Sequence, residues 1–251
     1  MIQGGESDGM EWCDEGVVIG IRRHGETSVI VELLTPARGR HLGMVLGGRS
    51  RRLRPVLQPG NSVVANWRAR LDDHMGHYTV EALRLRAAGI IDDALALHAL
   101  NHLCVLVRLL PERDPHPALH DDLAALLDRL GERETLPAMI VRFELRLLAD
   151  LGFGLDLDRC AATGRCDDLA YVSPRTGRAV SRAAGAPYRD RILALPSFLT
   201  ASADGPAALG VPDLQAGFRL TEYFLKRNVF APRGLALPDA RRAYLAALFA
   251  A

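Results

Sequence analysis

The sequence predicts an α+β protein of two domains, a small β-barrel followed by an α-helical domain. Residues 16–86 alternate apolar and polar side chains with the period of two that half-buried strands require. From about residue 88 onwards, the apolar residues recur with a helical period instead. The chain has 251 residues, of which 49% are hydrophobic and 24% charged, so it is long enough for one large or two small folded domains.

Five apolar runs separated by Gly, Pro and charged turns predict five strands, and the phase of each run predicts its inward face. The inward residues expected for the first four strands are Val17, Ile19 and Ile21; Val29, Val31 and Leu33; Leu42, Met44 and Leu46; and Val63, Ala65, Trp67 and Ala69. In the fifth run the apolar phase slips near Ala82 and Leu83, which predicts a bulge.

A barrel of OB type fits these five short strands, with a short helical segment expected between the third and fourth, at RRLRPVLQ. An SH3-like barrel fits the periodicity equally well. We expect residues 1–13 to be a flexible extension, residues 14–87 to form the barrel and residues 88–251 to form the helical domain.

The helical domain begins with IIDDALALHALNHLCVLVRLL, which is apolar nearly all round and predicts a buried helix. A leucine stripe at 119–130 predicts the next helix, and Thr135 is expected to cap a third one. Two more helices are expected after Pro212 and Pro238. Residues 155–190 are rich in Gly, Arg and Asp with weak periodicity, so they predict a loop-rich insert.

The sequence offers no signal for a membrane or for export. No apolar run approaches the 18 or so residues that a membrane span needs, and the start, MIQGGESDGMEW, has no signal-peptide pattern. Four cysteines at these spacings give no disulfide framework, so we expect reduced thiols. These observations predict a cytoplasmic protein.

Positive charge is concentrated in the predicted barrel, although the whole chain has a net charge of only +1. Residues 16–70 contain two acids, Glu26 and Glu32, and ten arginines: Arg22, Arg23, Arg38, Arg40, Arg49, Arg51, Arg52, Arg54, Arg68 and Arg70. Such an excess predicts a surface that binds the phosphates of nucleic acid without reading sequence. The alternative is an arginine-rich face that meets only solvent. Trp67 and Tyr78 are the main barrel candidates for base stacking, and Trp67 suits the core equally well.

Catalytic motifs are missing from the sequence. Lys226 is the only lysine and lies outside any P-loop or Schiff-base context, and neither a GxSxG elbow nor a strand-linked GxGxxG is present. Cys160 and Cys166 have the spacing of half a zinc site, but the insert supplies no further Cys or His, so we expect no metal, no cofactor and no small-molecule substrate. The pairs His98 and His102, and His116 and His120, have the i,i+4 spacing but lack an HExxH context.

Two long segments resemble the RecO family of bacterial DNA repair proteins. They are GVVIGIRRHGETSVIVELLTPARGRHLGMVLGGRSRR and FELRLLADLGFGLDLDRCAATGRCDDLAYVSPRTGRAVSR, within a resemblance that runs from about Met10 to the C-terminus. The resemblance implies an OB-fold joined to a helical domain, no enzymatic turnover, and binding and annealing of single-stranded DNA at the nucleoid. It also implies partnership with RecR and with the single-stranded DNA-binding protein, SSB, in loading RecA on coated strands.

The chain departs from the zinc-bearing members that it resembles, because YVSPRTGRAVSR has Ser173 and Ser181 where a second cysteine pair is expected. We therefore expect a zinc-finger-like insert without zinc, whose basic residues Arg175, Arg178 and Arg182 extend the DNA-binding surface. For the C-terminal tail of SSB we expect an apolar groove in the helical domain, lined by Leu103, Val107, Leu110, Phe218 and Leu225. The alternatives are a general RNA- or ribosome-binding barrel protein and a metal-dependent enzyme that uses His98, His102 and the cysteines.

Overall fold

The computed structural model describes residues 10–71, 73–200 and 210–250, and the chain divides into two compact units, residues 1–128 and 129–251. The first unit contains β1 (Met10–His24), β2 (Ser28–Thr35), β3 (Gly39–Val45), β4 (Ser62–Ala69), β5 (His77–Arg84), α1 (Ala94–Val107) and α2 (Pro117–Asp128). Local sequence pattern assigned α1 and α2 to a helical domain that begins at residue 88. Packing instead groups them with the strands, and the first compact unit ends at residue 128.

The five predicted strands are confirmed, and they close a barrel in the order β1-β2-β3-β5-β4. β1 is long enough to pair with β4 along its first half and with β2 along its second half. All pairs of neighbours are antiparallel except β3 and β5, which are parallel. The last pairing, between β4 and β1, closes the barrel.

β1 begins at Met10, so the expectation of a flexible extension over residues 1–13 is wrong for residues 10–13. This segment pairs with the end of β4, where Trp12 lies opposite Trp67 and the two indole rings stack with their centroids 5.7 Å apart. The sequence MEWCDE alternates too weakly to reveal this pairing, which depends on a strand more than 50 residues away. Residues 1–9 lie outside the described residues.

The inward faces of β2 and β4 are those that the period of two predicts, since Val29, Val31, Leu33, Val63, Ala65 and Trp67 are all buried in the barrel core. β1 departs from its predicted face because its register shifts between Val18 and Gly20. Val17, Val18 and Ile19 are consequently all buried, and Ile21 is exposed.

The predicted face of β3 is wrong, because His41, Gly43 and Val45 are the buried residues and Leu46 is exposed. His41 Nδ1 lies 2.8 Å from the hydroxyl oxygen of Tyr78, within hydrogen-bonding distance. A Cβ at position 43 would come within 2.4 Å of a carbon of the Tyr78 ring, so this position requires glycine. The core at this end of the barrel is therefore built from rings, which an apolar periodicity does not detect.

The bulge predicted in the fifth strand is confirmed. Ser62 pairs with Arg84 and Val63 pairs with Ala82, which leaves Leu83 as the extra residue. The segment predicted to be helical between β3 and β4 forms turns with two hydrogen bonds of helical spacing, from Arg54 N to Ser50 O and from Leu57 N to Leu53 O. Leu53 and Leu57 point into the barrel core, so this segment covers one end of it.

The Glu32 carboxylate joins the barrel to the segment that follows α1. It accepts hydrogen bonds from Arg40 Nη1 at 2.6 Å and from Arg108 Nε at 2.7 Å, and its side chain is only 14% exposed. Gly20 gives Arg108 the room to approach, because a Cβ there would overlap the guanidinium at 1.6 Å. Two arginines from distant parts of the sequence thus share one carboxylate.

The second unit contains α3 (Leu136–Asp150), β6 (Leu169–Val172), β7 (Ala179–Ser181), α4 (Arg182–Gly185), β8 (Leu193–Ala194), α5 (Val211–Phe224), a π-helical turn (Leu225–Phe230) and α6 (Asp239–Phe249). The insert is less irregular than predicted, because β6, β7 and β8 form a small sheet in the order β7-β6-β8. Thr135 precedes α3 but does not cap it. Its hydroxyl donates to the Glu132 carboxylate instead, at 2.7 Å.

A buried ion pair connects α3, α5 and α6. The Glu144 carboxylate is fully buried and accepts a hydrogen bond from Arg241 Nε at 3.1 Å, and the Thr221 hydroxyl donates to it as well. Burial alone would lower the pKa of Arg241, but the carboxylates of Glu144 and Glu222 outweigh burial and raise the pKa above its ordinary value. Arg241 therefore stays charged inside the unit.

We predict that Arg241→Met destabilises the protein by about 3–5 kcal/mol, because it leaves the Glu144 carboxylate buried without its cation. The double variant Glu144→Leu/Arg241→Met should recover most of this loss, since it removes both charges. Urea unfolding of the wild type and the two variants measures the difference. A single variant as stable as the wild type would show that the ion pair contributes nothing to the fold.

Candidate nucleic-acid interface

A row of paired residues around the barrel carries an arginine at each end. Arg22 on β1 pairs with Ile30, Ile30 with Met44, Met44 with His77, and His77 with Arg68 on β4. Neighbouring strands lie about 4.8 Å apart, so the row extends roughly 19 Å. Arg22, His77 and Arg68 are exposed. The row runs around the closed barrel through the buried Ile30, so it links the two arginines by strand pairing and not by a continuous exposed surface.

Three loops meet beside this row, namely the β1–β2 turn, the segment after β3 and the β4–β5 loop. Arg49 joins the first two, because its backbone N–H donates to Thr27 O at 3.1 Å and its guanidinium donates to Glu26 O. Met44 N donates to Gly76 O at 3.0 Å and joins the third. Eight of the ten predicted arginines lie on these loops or on the strand ends beside them, and we call them the loop-end arginines: Arg22, Arg23, Arg49, Arg51, Arg52, Arg54, Arg68 and Arg70.

All loop-end arginines are exposed, and most of them lack a counterion among the residues that the structure describes. Arg68 forms an ion pair with Glu11 at 2.8 Å, but its side chain is 78% exposed, so the pair contributes little. No carboxylate among the described residues pairs with the other seven. Their charge is therefore available to an external polyanion such as a nucleic-acid backbone.

Arg40 is not part of this surface, which corrects its prediction as a DNA-binding residue. Its side chain is 17% exposed and donates to Glu32 and, through Nε, to Leu110 O at 2.9 Å. Arg38 lies in the β2–β3 turn, where its guanidinium is 5.8 Å from the centroid of a Trp12 ring. Sequence position alone grouped these two arginines with the others.

The two aromatic residues considered for base stacking belong to the barrel core. Trp67 is fully buried and its indole N–H donates to Met75 O at 2.9 Å. Tyr78 is also buried and lies in the same ring cluster, with Trp12 and His41. The stacking expectation is therefore wrong for Tyr78, and the core alternative is the correct one for Trp67.

Arg113 is an exposed cation beside the β4–β5 loop that sequence reasoning missed. Its Nη2 donates to His74 O at 2.9 Å, and its backbone N–H donates to Arg40 O at 2.8 Å. It was missed because it follows α1 in the sequence, within the segment assigned to the helical domain. Its positive φ of 62° marks a fixed turn, but only the packing of the first unit places that turn against the barrel.

The three insert arginines have different environments. Arg178 donates to the Asp156 carboxylate at 3.2 Å, and Arg182 donates to Asp168, also at 3.2 Å. Arg175, in the β6–β7 turn, is exposed and forms no ion pair with a carboxylate of the described residues. The insert therefore offers less free positive charge than the sequence implies.

Cys160 is buried in the insert and faces Ser181 at the end of β7. Its Sγ lies 3.2 Å from Ser181 N and 3.5 Å from Ser181 Oγ. Burial is the largest single influence and raises the pKa of the thiol. Hydrogen bonds from the side chains of Ser181 and Thr163 and from the backbone at Ser181 and Ala162 together outweigh it, and they lower the pKa to about 6.

The apolar groove predicted for a partner's tail is wrong, because all five of its predicted residues are buried: Leu103, Val107, Leu110, Phe218 and Leu225. The first three belong to the first compact unit and the last two to the second. Their helical periodicity marks packing inside each unit. Helical periodicity cannot distinguish an apolar stripe that packs in the core from one that lines a groove, since both have the same spacing of apolar residues.

Comparisons with known proteins agree with the resemblance found in the sequence. Residues 10–86 match the family model "Recombination protein O N terminal", and residues 91–235 match "Recombination protein O C terminal". Proteins named DNA repair protein RecO from Methylobacterium nodulans, Chelativorans sp. and Rhodopseudomonas palustris are 57%, 54% and 53% identical to the chain. The aligned regions cover 94–95% of this chain and 96–97% of those proteins.

The chain belongs to the RecO family. Membership gives it a role in DNA repair and recombination, and the exposed arginines of the barrel agree with DNA as the binding partner. The limits of the two RecO family models, residues 86 and 91, fall where the sequence changes from strands to helices.

The donor set of the insert does not fit the zinc site that the RecO resemblance implies for zinc-bearing members. Structural zinc needs four ligands, whereas the buried thiol of Cys160 faces the hydroxyl of Ser181 and Cys166 is exposed. Within residues 10–71, 73–200 and 210–250, no group of three or more His, Cys, Asp and Glu side chains is arranged to hold a metal ion. In the same residues, no helix has the length and apolar character needed to cross a membrane.

We predict that the Cys160 thiolate forms with a midpoint near pH 6, which its ultraviolet absorbance measures in a pH titration. Because the folded-state pKa is below the ordinary thiol value of about 8.5, ionisation stabilises the folded state at high pH, and this stabilisation is lost as pH falls through the folded pKa. The free energy of unfolding, relative to Cys160→Ser, should therefore rise between about pH 6 and pH 8.5. Cys166→Ser is the control and should keep the midpoint. A midpoint unchanged by Cys160→Ser contradicts the assignment.

Proposed function

We propose that this RecO-family protein is a non-catalytic recombination mediator. It binds single-stranded DNA on the barrel, anneals complementary strands and, with RecR, helps to load RecA on DNA coated by SSB. The loop-end arginines are the observation that carries the proposal, because seven of them lack a carboxylate partner among the described residues.

The barrel is best described as an OB-fold. OB-folds are five-stranded Greek-key barrels that bind oligonucleotides on the face of strands 2 and 3 and on the loops that join strands 1 and 2 and strands 4 and 5. Here Arg22 and Arg23 precede the β1–β2 turn, Arg68 lies near the end of β4, and Arg70 begins the β4–β5 loop. The positive charge therefore lies on the loops that an OB-fold uses for nucleic acid.

Binding should depend on phosphates rather than on base identity. Trp67 and Tyr78 are buried and cannot stack on bases, whereas arginine side chains contact any backbone equally. A protein that tolerates every sequence and holds strands by charge suits annealing, since both complementary strands must bind equally well. Such a role needs no chemical turnover and places the protein on DNA at the nucleoid, in the cytoplasm. If the C-terminal tail of SSB binds this protein, it binds at a site other than the predicted groove, whose five residues are buried.

An annealing assay with complementary oligonucleotides coated by SSB tests the proposal. We expect the protein to accelerate duplex formation and to bind single-stranded DNA more tightly than RNA of the same sequence. Stronger binding to RNA, without annealing of coated DNA, would favour the RNA-binding alternative.

We predict that Arg49→Ala/Arg51→Ala/Arg52→Ala weakens binding to all single-stranded sequences about equally. Each lost phosphate contact reduces the slope of log affinity against log salt by about 0.7 on single strands, so three contacts reduce it by up to about 2. Titrations of labelled DNA at several salt concentrations measure both effects. Arg54 stays intact because Gln58 Nε2 donates to its carbonyl and Pro55 follows it.

The matched control is Arg129→Ala/Arg189→Ala/Arg242→Ala, which removes the same charge from exposed arginines that already pair with Glu132, Asp190 and Asp239. Circular dichroism verifies the fold of both triple variants. Arg49 also holds the β1–β2 turn, so Arg51→Ala/Arg52→Ala serves as a second variant that keeps this contact. Wild-type affinity and slope in both variants would exclude these arginines from the DNA site.

A further inference from the structure

The second unit has an exposed stripe of basic and aromatic side chains along α5 and the π-helical turn. The exposed residues between Leu214 and Phe230 are Arg219, Tyr223, Lys226 and Arg227, at the spacing that places helical residues on one face. The residues between them, such as Leu220, Phe224 and Leu225, are buried. The stripe includes the only lysine of the chain.

The insert adds a further cation to this stripe. The Arg227 guanidinium donates to Pro174 O in the β6–β7 turn, directly before the exposed Arg175. The same turn packs on α5, since a Cβ at Gly177 would lie 3.8 Å from the Phe224 ring. We name Arg175, Arg219, Tyr223, Lys226 and Arg227 together the π-turn surface.

The described part of the second unit, residues 129–200 and 210–250, pairs none of the cations of the π-turn surface with a carboxylate. Among the neighbouring acids, Glu222 pairs with Arg241 at 2.8 Å and Asp168 pairs with Arg182 at 3.2 Å. None of the four cations of the surface forms an ion pair with a carboxylate of the described residues. The surface therefore has an excess of four positive charges and complements a polyanion.

Tyr223 distinguishes this surface from the barrel, where the large rings form the core. Tyr223 is 37% exposed and lies on the same helical face as the cations, and its ring meets the Phe224 ring edge-on at a centroid distance of 5.2 Å. An exposed ring between cations suits single-stranded nucleic acid, whose phosphates meet the charges while an unpaired base stacks on the ring. Duplex DNA keeps its bases stacked internally and gains little from Tyr223.

The π-helical turn itself shapes the surface. π-Helical segments are rare and occur frequently at functional sites. Here the wider turn leaves both Lys226 and Arg227 exposed while Leu225, Val229 and Phe230 remain buried. Two adjacent cations thus project from a helix that still packs its apolar side chains inward.

We propose that the π-turn surface is a second binding site for single-stranded DNA, separate from the loop-end arginines. The four cations bind phosphates and Tyr223 stacks on one base. The inference rests on the proposed function only in taking single-stranded DNA as the ligand. A chain that carries two such sites, one on each compact unit, can hold two strands at once, as annealing requires.

The test uses full-length protein and labelled oligo(dT) as the ligand. The substitutions Arg219→Gln/Lys226→Gln/Arg227→Gln are made in the wild type and in Arg49→Ala/Arg51→Ala/Arg52→Ala, which we call the barrel triple variant. In the barrel triple variant we expect these substitutions to lower the remaining affinity at least tenfold and to reduce the salt slope by up to about 2 more. Since Arg227 contacts Pro174, Arg219→Gln/Lys226→Gln serves as a second variant that keeps this contact. It should reduce the slope of log affinity against log salt by about 1.4.

Tyr223→Leu tests the stacking role separately. In the barrel triple variant it should weaken oligo(dT) binding about fivefold or more, which is the smallest loss expected when one base–aromatic stack is removed. Binding to duplex DNA should stay unchanged. An equal loss for duplex would overturn the assignment to single strands.

The controls separate failure of this inference from failure of the proposed function. If the barrel triple variant loses affinity while the π-turn variants match Arg129→Ala/Arg189→Ala/Arg242→Ala, the second site does not exist and the proposed function stands. If the π-turn variants lose affinity and the barrel triple variant does not, the second site stands and the barrel site is wrong. If neither set loses affinity, both ideas fail.

Discussion

The sharing of carboxylates among arginines is the interaction on which the rest of this structure depends. Nearly all positive charge in the chain is arginine, whose planar fork of donors bridges a carboxylate and a carbonyl at once. Glu32 uses this property to join Arg40 on β3 with Arg108 after α1, and Glu144 uses it to hold Arg241 inside the second unit. Each of these arginines serves the fold because it brings positive charge to a carboxylate that is largely removed from water. Where no carboxylate is placed nearby, the same residue type stays charged and exposed.

The proposed function rests on the difference between arginines that pair with a carboxylate and arginines that stay exposed. The loop-end arginines and the cations of the π-turn surface differ from Arg40 and Arg241 in counterion and exposure, not in chemistry. The two surfaces also differ from each other. On the barrel, Trp67 and Tyr78 are buried and the loop-end arginines are exposed, which fits contact with phosphates. On the π-turn surface, Tyr223 remains accessible, and the site that we propose there would use this ring to stack on an unpaired base. In the proposed annealing function, two sites of unequal character would let the protein hold one strand while it finds the complement.

The sequence predicted elements well where one local pattern decided them. The faces of β2 and β4, the bulge at Leu83 and the five strands themselves were correct, because alternation reports directly which side of a strand is buried. Alternation did not predict the structure where contact with a residue distant in the sequence decides which side of a strand is buried. Trp12 is in a strand only because β4 supplies Trp67, and β3 turns His41 inward only because Tyr78 meets it there. The same limit applied to the candidate site, since local charge density cannot show that Arg40 is neutralised by a carboxylate eight residues earlier.

The insert shows how the second unit keeps its shape with a reduced donor set. In a zinc-finger-like segment the metal ties two turns together, and here Cys160 and Ser181 face each other where two thiolates are expected. Cys160 and Ser181 are joined by hydrogen bonds, and further contacts support the β6–β7 turn from outside, through Gly177 against Phe224 and Arg227 to Pro174. Because the second of these contacts comes from the π-turn surface, the residues that would bind DNA also hold the insert in place. These contacts therefore couple the position of the β6–β7 turn, and of Arg175 with it, to α5 and the π-helical turn.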